Sequence, residues 1–466
     1  MVVVLGACAG CGRIGFDDHS PANPDGSSDS DGATDAPSAR AKVITARGAI
    51  GVSDVAYDAA GRLAVVGSYA TSLALGPFGA MAATMRSDVF LGVLDATGEP
   101  TALWTGGALD FASGEGVVWL PDGSLAVTGF FSGMFPPSML DAGGRQAALV
   151  ARFDRDGAFV VARGYGNGFG NIQARGIDVN ADAIAIGGIY TGSVDFGGGS
   201  LPFTTNDNAF VALLPLGAEA VASRGVTASG DVYVNDVAFG PSGGLCVVGR
   251  ITATADFGGG PVAVSGSQAF VARYDAALAL QWVRLLGASA VGRSVDVAAN
   301  DDCVAGGAVV GMLDLDGQSY TSAGQGDAWI GRLRANDGTL QWLVGVGGTE
   351  DDSVTALAVA PDGDVVALGF FSGTVAVPGG GNLVSGGGTD ALVVGLDAAG
   401  AVRWQRQLGG TGDVDTGQGG LALSPDGGVV ALPVTYRGEL EVPGIPGIAA
   451  IGPATGDGAV VLLPIP

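Results

Sequence analysis

Basic side chains and histidine are scarce in this chain of 466 residues. Lysine and arginine together number 21 against 46 aspartates and glutamates, a formal charge of 21 − 46 = −25, and the single histidine is His19. Nucleic acid is therefore excluded as a partner, because phosphate binding rests on clustered basic side chains. Beyond His19 no imidazole is present to build a Ser-His-Asp triad, a Cys-His pair or a histidine-ligated zinc site.

Long apolar runs and aromatic residues are also lacking. No stretch reaches the roughly 18 apolar residues that a membrane-spanning helix needs, and aromatics make up only 7% of the chain. Hydrophobic residues still reach 47%, chiefly Val, Ala, Leu and Ile, so a large core can form. The 84 glycines indicate a turn-rich protein, and the aliphatic composition favours strands.

The first forty residues differ from the rest of the chain. Leu5-Gly6-Ala7-Cys8 resembles the lipobox of bacterial lipoproteins, which implies lipid attachment at Cys8 and removal of a truncated signal-like segment, residues 1–8. Cys11 is a weaker alternative, and an ordinary flexible N-terminus is the other interpretation. Residues 9–40 are rich in Asp, Ser and Gly, which predicts a disordered acidic tether. The resemblance implies a cell-envelope location, at the outer membrane or the periplasmic face, with membrane contact through lipid only.

From residue 41 the sequence repeats. A short β-forming run ends in the same position of each unit, and the spacing between successive copies is 58–64 residues. The marker residues are Gly67, Gly129, Gly188, Gly249, Gly307, Gly369 and, in the seventh copy, Pro433. Such regularity predicts one fold unit repeated seven times.

Each unit predicts four strands. Turns such as Asp122-Gly123 and Asp362-Gly363 join the first two strands, and an Asp-Ala-aromatic run such as Asp327-Ala328-Trp329 marks the third. The seventh unit ends before a fourth strand, whereas the segment from Val43 to Arg47 precedes the first unit and has none of its own. We therefore predict an all-β, seven-bladed β-propeller with four-stranded blades over residues 41–466, whose ring is closed by the N-terminal strand.

The repeat pattern is similar to that of the bacterial seven-bladed β-propeller repeat family. The likeness rests on Val-Val-Gly, on Asp-Phe-Gly-Gly-Gly at 195–199 and 256–260, on the third-strand Asp-Ala-aromatic run, and on Gly-Gly after the fourth-strand tryptophan. The resemblance implies the fold and usually an envelope location, and it implies no reaction.

Carboxylates are concentrated in the segments that lead from a fourth strand to the next first strand. In propellers these segments lie on the face where ligands bind, and carboxylates around such a mouth can hold Ca²⁺. A solvated acidic rim is the interpretation we favour, so no cofactor is expected and Ca²⁺ is the alternative. The residues are Asp110, Asp231, Glu350, Asp351, Asp352, Asp413 and Asp415.

Two further groups are candidates for the same face. Tyr165, Asn167 and Phe169 lie in a glycine-rich loop that can stack on sugar rings, although an ordinary surface loop explains it more simply. Arg175 and Arg293 begin first strands and can clamp an anion. Pairing with nearby carboxylates is the favoured explanation for these arginines; the carboxylates are Asp54, Glu115 and Asp236.

Three smaller features complete the sequence-based predictions. The segment from Asp337 to Trp342 resembles a turn of quinoprotein dehydrogenase propellers, but tryptophan packing between adjacent blades is favoured. Asp314 begins half of a calcium-loop pattern that we interpret as a turn. Cys246 and Cys303 lie in second strands of neighbouring units, and a sheet spacing of about 10 Å predicts two buried free thiols.

These observations predict a cell-envelope lipoprotein whose propeller binds a protein, peptide or glycan without catalysing a reaction. It is expected to be a monomer. The alternative is an envelope hydrolase that uses paired carboxylates among Glu350, Asp351, Asp352, Asp413 and Asp415, since glycosidases need two carboxyl groups. A quinone-dependent redox propeller is the third possibility.

Overall fold

The computed structural model describes most of the repeat region. The described residues are 41–48, 50–83, 86–166, 168–217, 221–287, 289–417, 420–449 and 456–466. Cys8, Cys11, the 9–40 tether and Asn167 lie outside this part, so the predictions made for them stay predictions. None of the helical structure in the described part is long and apolar enough to cross a membrane.

Strands account for nearly all regular structure in the described residues, together with one 3-10 turn at Pro136–Ser138. The strands are β1 (Lys42–Arg47), β2 (Ile50–Tyr57), β3 (Leu63–Tyr69), β4 (Ser72–Leu75), β5 (Phe78–Ala82), β6 (Asp88–Leu94), β7 (Pro100–Gly107), β8 (Phe111–Trp119), β9 (Leu125–Phe135), β10 (Leu140–Phe153), β11 (Phe159–Tyr165), β12 (Ile172–Val179), β13 (Ala183–Gly192), β14 (Thr204–Pro215), β15 (Ala222–Ala228), β16 (Val232–Phe239), β17 (Leu245–Ile251), β18 (Ala255–Asp256), β19 (Pro261–Val262), β20 (Gln268–Tyr274), β21 (Leu280–Leu286), β22 (Ala290–Val297), β23 (Cys303–Val309), β24 (Met312–Leu315), β25 (Gln318–Thr321), β26 (Asp327–Leu333), β27 (Leu340–Gly348), β28 (Ser353–Val359), β29 (Val365–Val377), β30 (Gly381–Leu396), β31 (Val402–Leu408), β32 (Val414–Asp415), β33 (Ala422–Leu423), β34 (Val429–Tyr436), β35 (Glu439–Val442), β36 (Ile445–Ala449) and β37 (Asp457–Pro464).

The strands form antiparallel four-stranded meanders, which we call blades, in a propeller-like arrangement. Sheets β2-β3-β6-β7, β8-β9-β10-β11 and β16-β17-β20-β21 each hold one such meander. In the β12–β15 and β22–β31 sheets the fourth strand of one meander also pairs with the second-to-third-strand excursion of the next, as β15 does with β18 and β27 with β29. Hydrophobic clusters lie between consecutive blades, so each blade packs its faces on its neighbours.

The N-terminal strand completes the last meander. β1 pairs antiparallel with β37, from Lys42 opposite Leu462 to Ala46 opposite Gly458, and β37 pairs in turn with β34. Residues from the two ends of the chain therefore share one sheet. This is the pairing predicted from the unpaired N-terminal segment, and it also leaves the outer edge of β1 available to β4 of the first blade.

A backbone contact explains the glycine that marks six of the seven repeats. In every case the second-strand glycine lies opposite a β-bulge of the first strand, and a Cβ at that position would overlap a first-strand carbonyl oxygen. For example, Gly249 pairs with Val234 just before the bulge, and its Cβ would meet the Tyr233 carbonyl. The positions with this contact are Gly67, Gly129, Gly188, Gly249, Gly307 and Gly369.

Gly249→Ala is expected to destabilise the protein by about 2–3 kcal/mol, because the added methyl group must displace the bulged backbone of β16. The urea midpoint of unfolding measures the loss. Gly51→Ala is the matched control, since a Cβ at Gly51 meets nothing within 4 Å. Equal midpoints for the two variants would contradict the bulge explanation.

Third-strand aspartates and fourth-strand glycines are a packed pair. Asp390 is buried and accepts hydrogen bonds from the Gly386 amide at 3.0 Å and from Gln407 Nε2 at 2.6 Å. A Cβ at Gly409 would overlap the Asp390 carboxyl group, and Gly347 stands in the same relation to Asp327. The first glycine of each Gly-Gly doublet is thus required by the carboxylate that stabilises the preceding loop, and a Cβ at the second glycine would overlap a backbone carbonyl oxygen.

Fourth-strand tryptophans join consecutive blades. Trp282 Nε1 donates to the Ala335 carbonyl at 2.8 Å, and Trp342 Nε1 donates to the Ala398 carbonyl at 3.1 Å, each in the third-to-fourth-strand turn of the next blade. Packing between adjacent blades was the favoured interpretation of the Asp337–Trp342 segment, and it is confirmed.

The prediction of two free thiols was wrong. Cys246 in β17 and Cys303 in β23 form a disulfide, with their Cα atoms 6.1 Å apart. The 10 Å spacing applies to sheets separated by large side chains, whereas these second strands lie one strand away from the innermost edges of adjacent blades. Small neighbours, Ala238 and Ala305, share their cluster and allow the close approach.

Candidate functional site

The first strands of successive blades surround a cavity of about 290 Å³. Their bulges leave one residue of each strand unpaired with the second strand. Several of these residues are polar, and Glu115, Arg175 and Asn235 line the cavity. The bulged residues are Ser53, Glu115, Arg175, Asn235, Arg293 and Thr355. The bulge that requires the repeat glycine therefore also supplies the site with its side chains.

Carboxylates in the cavity wall connect each blade to the next. Asp54 accepts hydrogen bonds from its own strand at Val55 and from the following blade at Val117, both at 2.8 Å. Asp178 accepts from Phe239, Asp236 from Val295 and Asp296 from Val359, at 2.6, 2.9 and 2.7 Å. Four aspartates thus satisfy backbone amides across blade boundaries.

Burial perturbs all four of these carboxyl groups. Desolvation raises the pKa of Asp54, Asp178 and Asp236 to about 7 and that of Asp296 to about 6, although the hydrogen bonds from backbone amides oppose the rise. Repulsion from Asp296 and Asp236 raises the pKa of Asp178 further. Because their oxygens are engaged by the backbone, these groups act in the architecture rather than as free acids or bases.

The arginines of the site do not pair as expected. Arg175 donates to Asn235 Oδ1 at 3.0 Å and to Gln173 Oε1 at 3.2 Å, and its guanidinium lies 5.7 Å from the ring centre of Tyr233. Arg293 has a buried Nε without a hydrogen-bond partner. Within the described ranges neither guanidinium comes within 4.0 Å of a carboxylate oxygen. The predicted pairing with Asp54, Glu115 or Asp236 was therefore wrong.

The rim carboxylates differ in their exposure to solvent. Asp352 is buried, accepts hydrogen bonds from the Gly348 and Ser372 amides, and has a pKa raised to about 7 by desolvation. Glu350, Asp351 and Asp415 are exposed, whereas Asp231 and Asp413 are half-buried. Asp110 lies 3.6 Å from Arg86. Among the described residues no group of three His, Cys, Asp or Glu side chains could hold a metal ion.

One of the two aromatic side chains in the Tyr165 loop is exposed to solvent. Tyr165 is 9% exposed and packs against Phe196 with ring centres 5.0 Å apart, so its ring belongs to the core between blades. Phe169 is 81% exposed. Of the residues predicted here, Phe169 therefore remains the candidate for contact with a ligand.

Exposed apolar side chains are concentrated at one end of the strands, and composition alone could not reveal this. Eight of the ten large exposed hydrophobic residues in the described part lie in fourth-to-first-strand segments or in second-to-third-strand excursions, which share that end, the loop face. The other two are Val160 and Val161 in β11. The eight are Met81, Leu109, Met139, Phe169, Phe203, Val310, Met312 and Val384.

Comparison with known proteins finds distant structural similarity alone. No protein-family model matches the chain, and no curated protein matches it. An apocarotenoid oxygenase mutant from Synechocystis is similar over 74% of this chain and 68% of its own, at 10% identity and a TM-score of 0.37. A quinohemoprotein alcohol dehydrogenase from Pseudomonas putida HK5 is similar over 89% of this chain and 76% of its own, also at 10% identity and 0.37.

Proposed function

We propose that this chain is a seven-bladed propeller of the cell envelope, lipid-anchored at Cys8, that binds a protein, peptide or glycan on its loop face and catalyses no reaction. The distribution of exposed apolar side chains carries the proposal, because eight of the ten in the described part lie at that end. Exposed hydrophobic residues scattered singly are normal on a protein surface, so it is their concentration at one end of the strands that favours an interaction face there.

Two further observations support parts of the proposal. Seven repeats at 58–64 residue spacing, together with the sharing of one sheet by β1 and β37, favour a closed ring of seven blades. The disulfide between Cys246 and Cys303 favours an oxidising compartment, since disulfides persist outside the cytosol. An envelope location is consistent with both the lipobox resemblance and this bond.

The hydrogen bonds of the buried carboxylates argue against a hydrolase that uses Asp352 or the cavity aspartates. Asp352, one of the acids considered for a hydrolase, accepts hydrogen bonds from two backbone amides. The cavity aspartates do the same across blade boundaries. A glycosidase requires one carboxylate free to attack or activate water and one acid free to donate a proton.

Photo-crosslinking from the loop face tests the proposal. A photoreactive residue replacing Phe203, which is 71% exposed, is expected to capture a discrete partner on intact cells. The same residue replacing Ala276, in the third-to-fourth-strand turn at the opposite end, is the control and is expected to capture none. Equal capture from both ends would contradict a loop-face function, and palmitate labelling that survives in Cys8→Ser would contradict the anchor.

A further inference from the structure

Three arginines on consecutive blades form a cluster: Arg175 and Arg250 lie beside the Tyr233 ring, and Arg293 is within electrostatic reach of Arg250. Arg175 is the bulged residue of β12, Arg293 is the bulged residue of β22, and Arg250 lies opposite Tyr233 in the β16–β17 pair, 4.7 Å from the ring centre. Each side chain is half-buried. In a chain with 21 basic against 46 acidic residues, three clustered guanidiniums run against the overall charge.

The cluster lacks an internal counter-ion in contact. Repulsion from Arg250 lowers the pKa of both Arg175 and Arg293, in addition to the larger effect of burial. The charges of Glu115, Asp207 and Asp415 reach these arginines, yet no guanidinium of the cluster forms an ion pair within the described ranges. Burial raises the pKa of Glu115, while the hydrogen bond from Ser113 and the charge of Arg175 oppose the rise.

Hydrogen bonds hold part of the cluster in place. Gln146 accepts from Gln173, which accepts from Arg175, and Arg175 also donates to Asn235. Asn235 Nδ2 in turn donates to the Gly292 carbonyl at 2.7 Å, next to Arg293. This series of hydrogen bonds spans four consecutive blades and fixes the Arg175 guanidinium without neutralising it. Arg293 Nε is a buried donor with no acceptor among the described residues.

We propose that the Arg175, Arg250 and Arg293 cluster binds a carboxylate group of the ligand that docks on the loop face. This inference rests on the proposed binding function and names the chemistry recognised there. A planar guanidinium offers paired donors that match the two oxygens of a carboxylate. One negative charge suits a mouth that also contains Glu115, Asp207 and Asp415, whereas a phosphate dianion meets more repulsion.

A carboxylate of this kind is present at a peptide C-terminus and on acidic sugars, and calorimetric titration of the full chain separates the two. One arm compares a tripeptide with its C-terminal amide, and the other compares glucuronate with glucose. Binding of either carboxylate, with the neutral partner at least about tenfold weaker, is expected, because a charge-assisted hydrogen bond contributes more than 1.4 kcal/mol. Inorganic phosphate is a third probe.

Variants connect the binding to the cluster. Arg293→Gln and Arg250→Gln are each expected to weaken carboxylate binding about tenfold or more. Arg145→Gln removes the same charge from an exposed position at the same end and is expected to change it less than about twofold. Urea midpoints are measured for all three, and Arg250→Gln provides the test if Arg293→Gln fails to fold.

Four outcomes overturn the inference: no binding of either carboxylate at 10 mM probe, equal binding of the neutral partners, tighter binding of phosphate, or an equal loss in Arg145→Gln. Crosslinking from the Phe203 position distinguishes a failure of the arginine site from a failure of the proposed loop-face function. If that crosslink forms in the parent chain while the carboxylate probes fail to bind the parent chain, the loop-face function stands and the arginine site is wrong. If the crosslink fails in the parent chain while the probes bind, the opposite holds.

Discussion

Replacing both Cys246 and Cys303 with alanine is expected to lower the free energy of unfolding by about 4 kcal/mol. The bond closes a segment with a sequence separation of 57 residues, and the loss of chain entropy in the unfolded state scales with the logarithm of that length. Both residues are fully buried and tie the second strands of neighbouring blades. Urea unfolding of the variant and the parent measures the difference.

The control for this prediction is the reduced parent protein. Because both sulfurs are buried, a reductant is expected to act on the native chain only after unfolding, and the midpoint is expected to fall toward that of the double variant once the bond is broken. A peptide map under non-reducing conditions shows whether Cys246 and Cys303 are linked. Unlinked peptides in material from an oxidising compartment, or equal midpoints for variant and parent, would contradict the structural role.

The repeat and its strands were predictable because their signals are local. Second-strand glycine, two-residue turns and the third-strand aspartate recur in each unit, and comparing copies distinguishes them from chance. Their causes were not predictable. The steric reason for Gly249 is the carbonyl of Tyr233 across a bulge, and the reason for Gly409 is the Asp390 carboxyl group. Both are contacts between strands, which spacing along the chain cannot show.

The sequence predicted which residues lie at the candidate site better than it predicted their contacts. Arg175, Arg293, Glu115 and Asp54 were correctly brought to the first strands, because the repeat register places them there. Their contacts differ from the predicted ones. A β-bulge interrupts the alternation of side chains between the two faces of the strand, which changes the contacts of the bulged residue and of the residue after it. Arg250 was missed, because its second-strand position showed no signal until the Tyr233 ring was placed beneath it.

The distance between blades caused the error about the two cysteines. Sheet spacing is set by the side chains between the sheets, and it narrows toward the edge where the first strands meet. Cys246 and Cys303 lie in the second strands, with Ala238 and Ala305 nearby, so their Cα atoms approach to 6.1 Å. In a repeat protein of this kind, cysteines in equivalent second-strand positions of neighbouring units deserve consideration as a disulfide when the residues around them are small.

The free energy of unfolding is expected to rise by at least about 3 kcal/mol as the pH falls from 8 to 5. Asp54, Asp178 and Asp236 have pKa values raised to about 7, and Asp296 to about 6, against 3.8 in the unfolded chain. The folded protein therefore binds protons that the unfolded chain releases across this window, and each pKa unit corresponds to about 1.4 kcal/mol. Urea unfolding at pH 5, 6.5 and 8 measures the trend.

Burial of the carboxyl groups determines whether the free energy of unfolding rises or falls with pH. A carboxyl group whose pKa is raised on folding contributes its full stability below pH 3.8 and loses it as the pH rises through the folded value. Carboxylates with lowered pKa values, such as Asp302 and Asp397, contribute in the opposite direction, but their contribution is lost only as the pH falls below about 4. The window from pH 5 to 8 therefore reports on the carboxyl groups whose pKa values are raised, chiefly the cavity aspartates and Asp352. Glu115 and Asp390 shift in the same direction.

Asp236→Asn connects the trend to the cavity. The amide cannot ionise, so the variant is expected to lose roughly a fifth of the rise between pH 8 and 5, because one of the five carboxyl groups with a pKa of about 6 or 7, Asp352 included, no longer titrates. The variant is also expected to be less stable at pH 5, since a single amide oxygen must serve the Val237 and Val295 amides that two carboxyl oxygens now accept. Asp156→Asn, at an exposed turn, is the control and is expected to keep the parent slope. A stability that is flat or increases with pH would show that the backbone hydrogen bonds outweigh desolvation at these four sites.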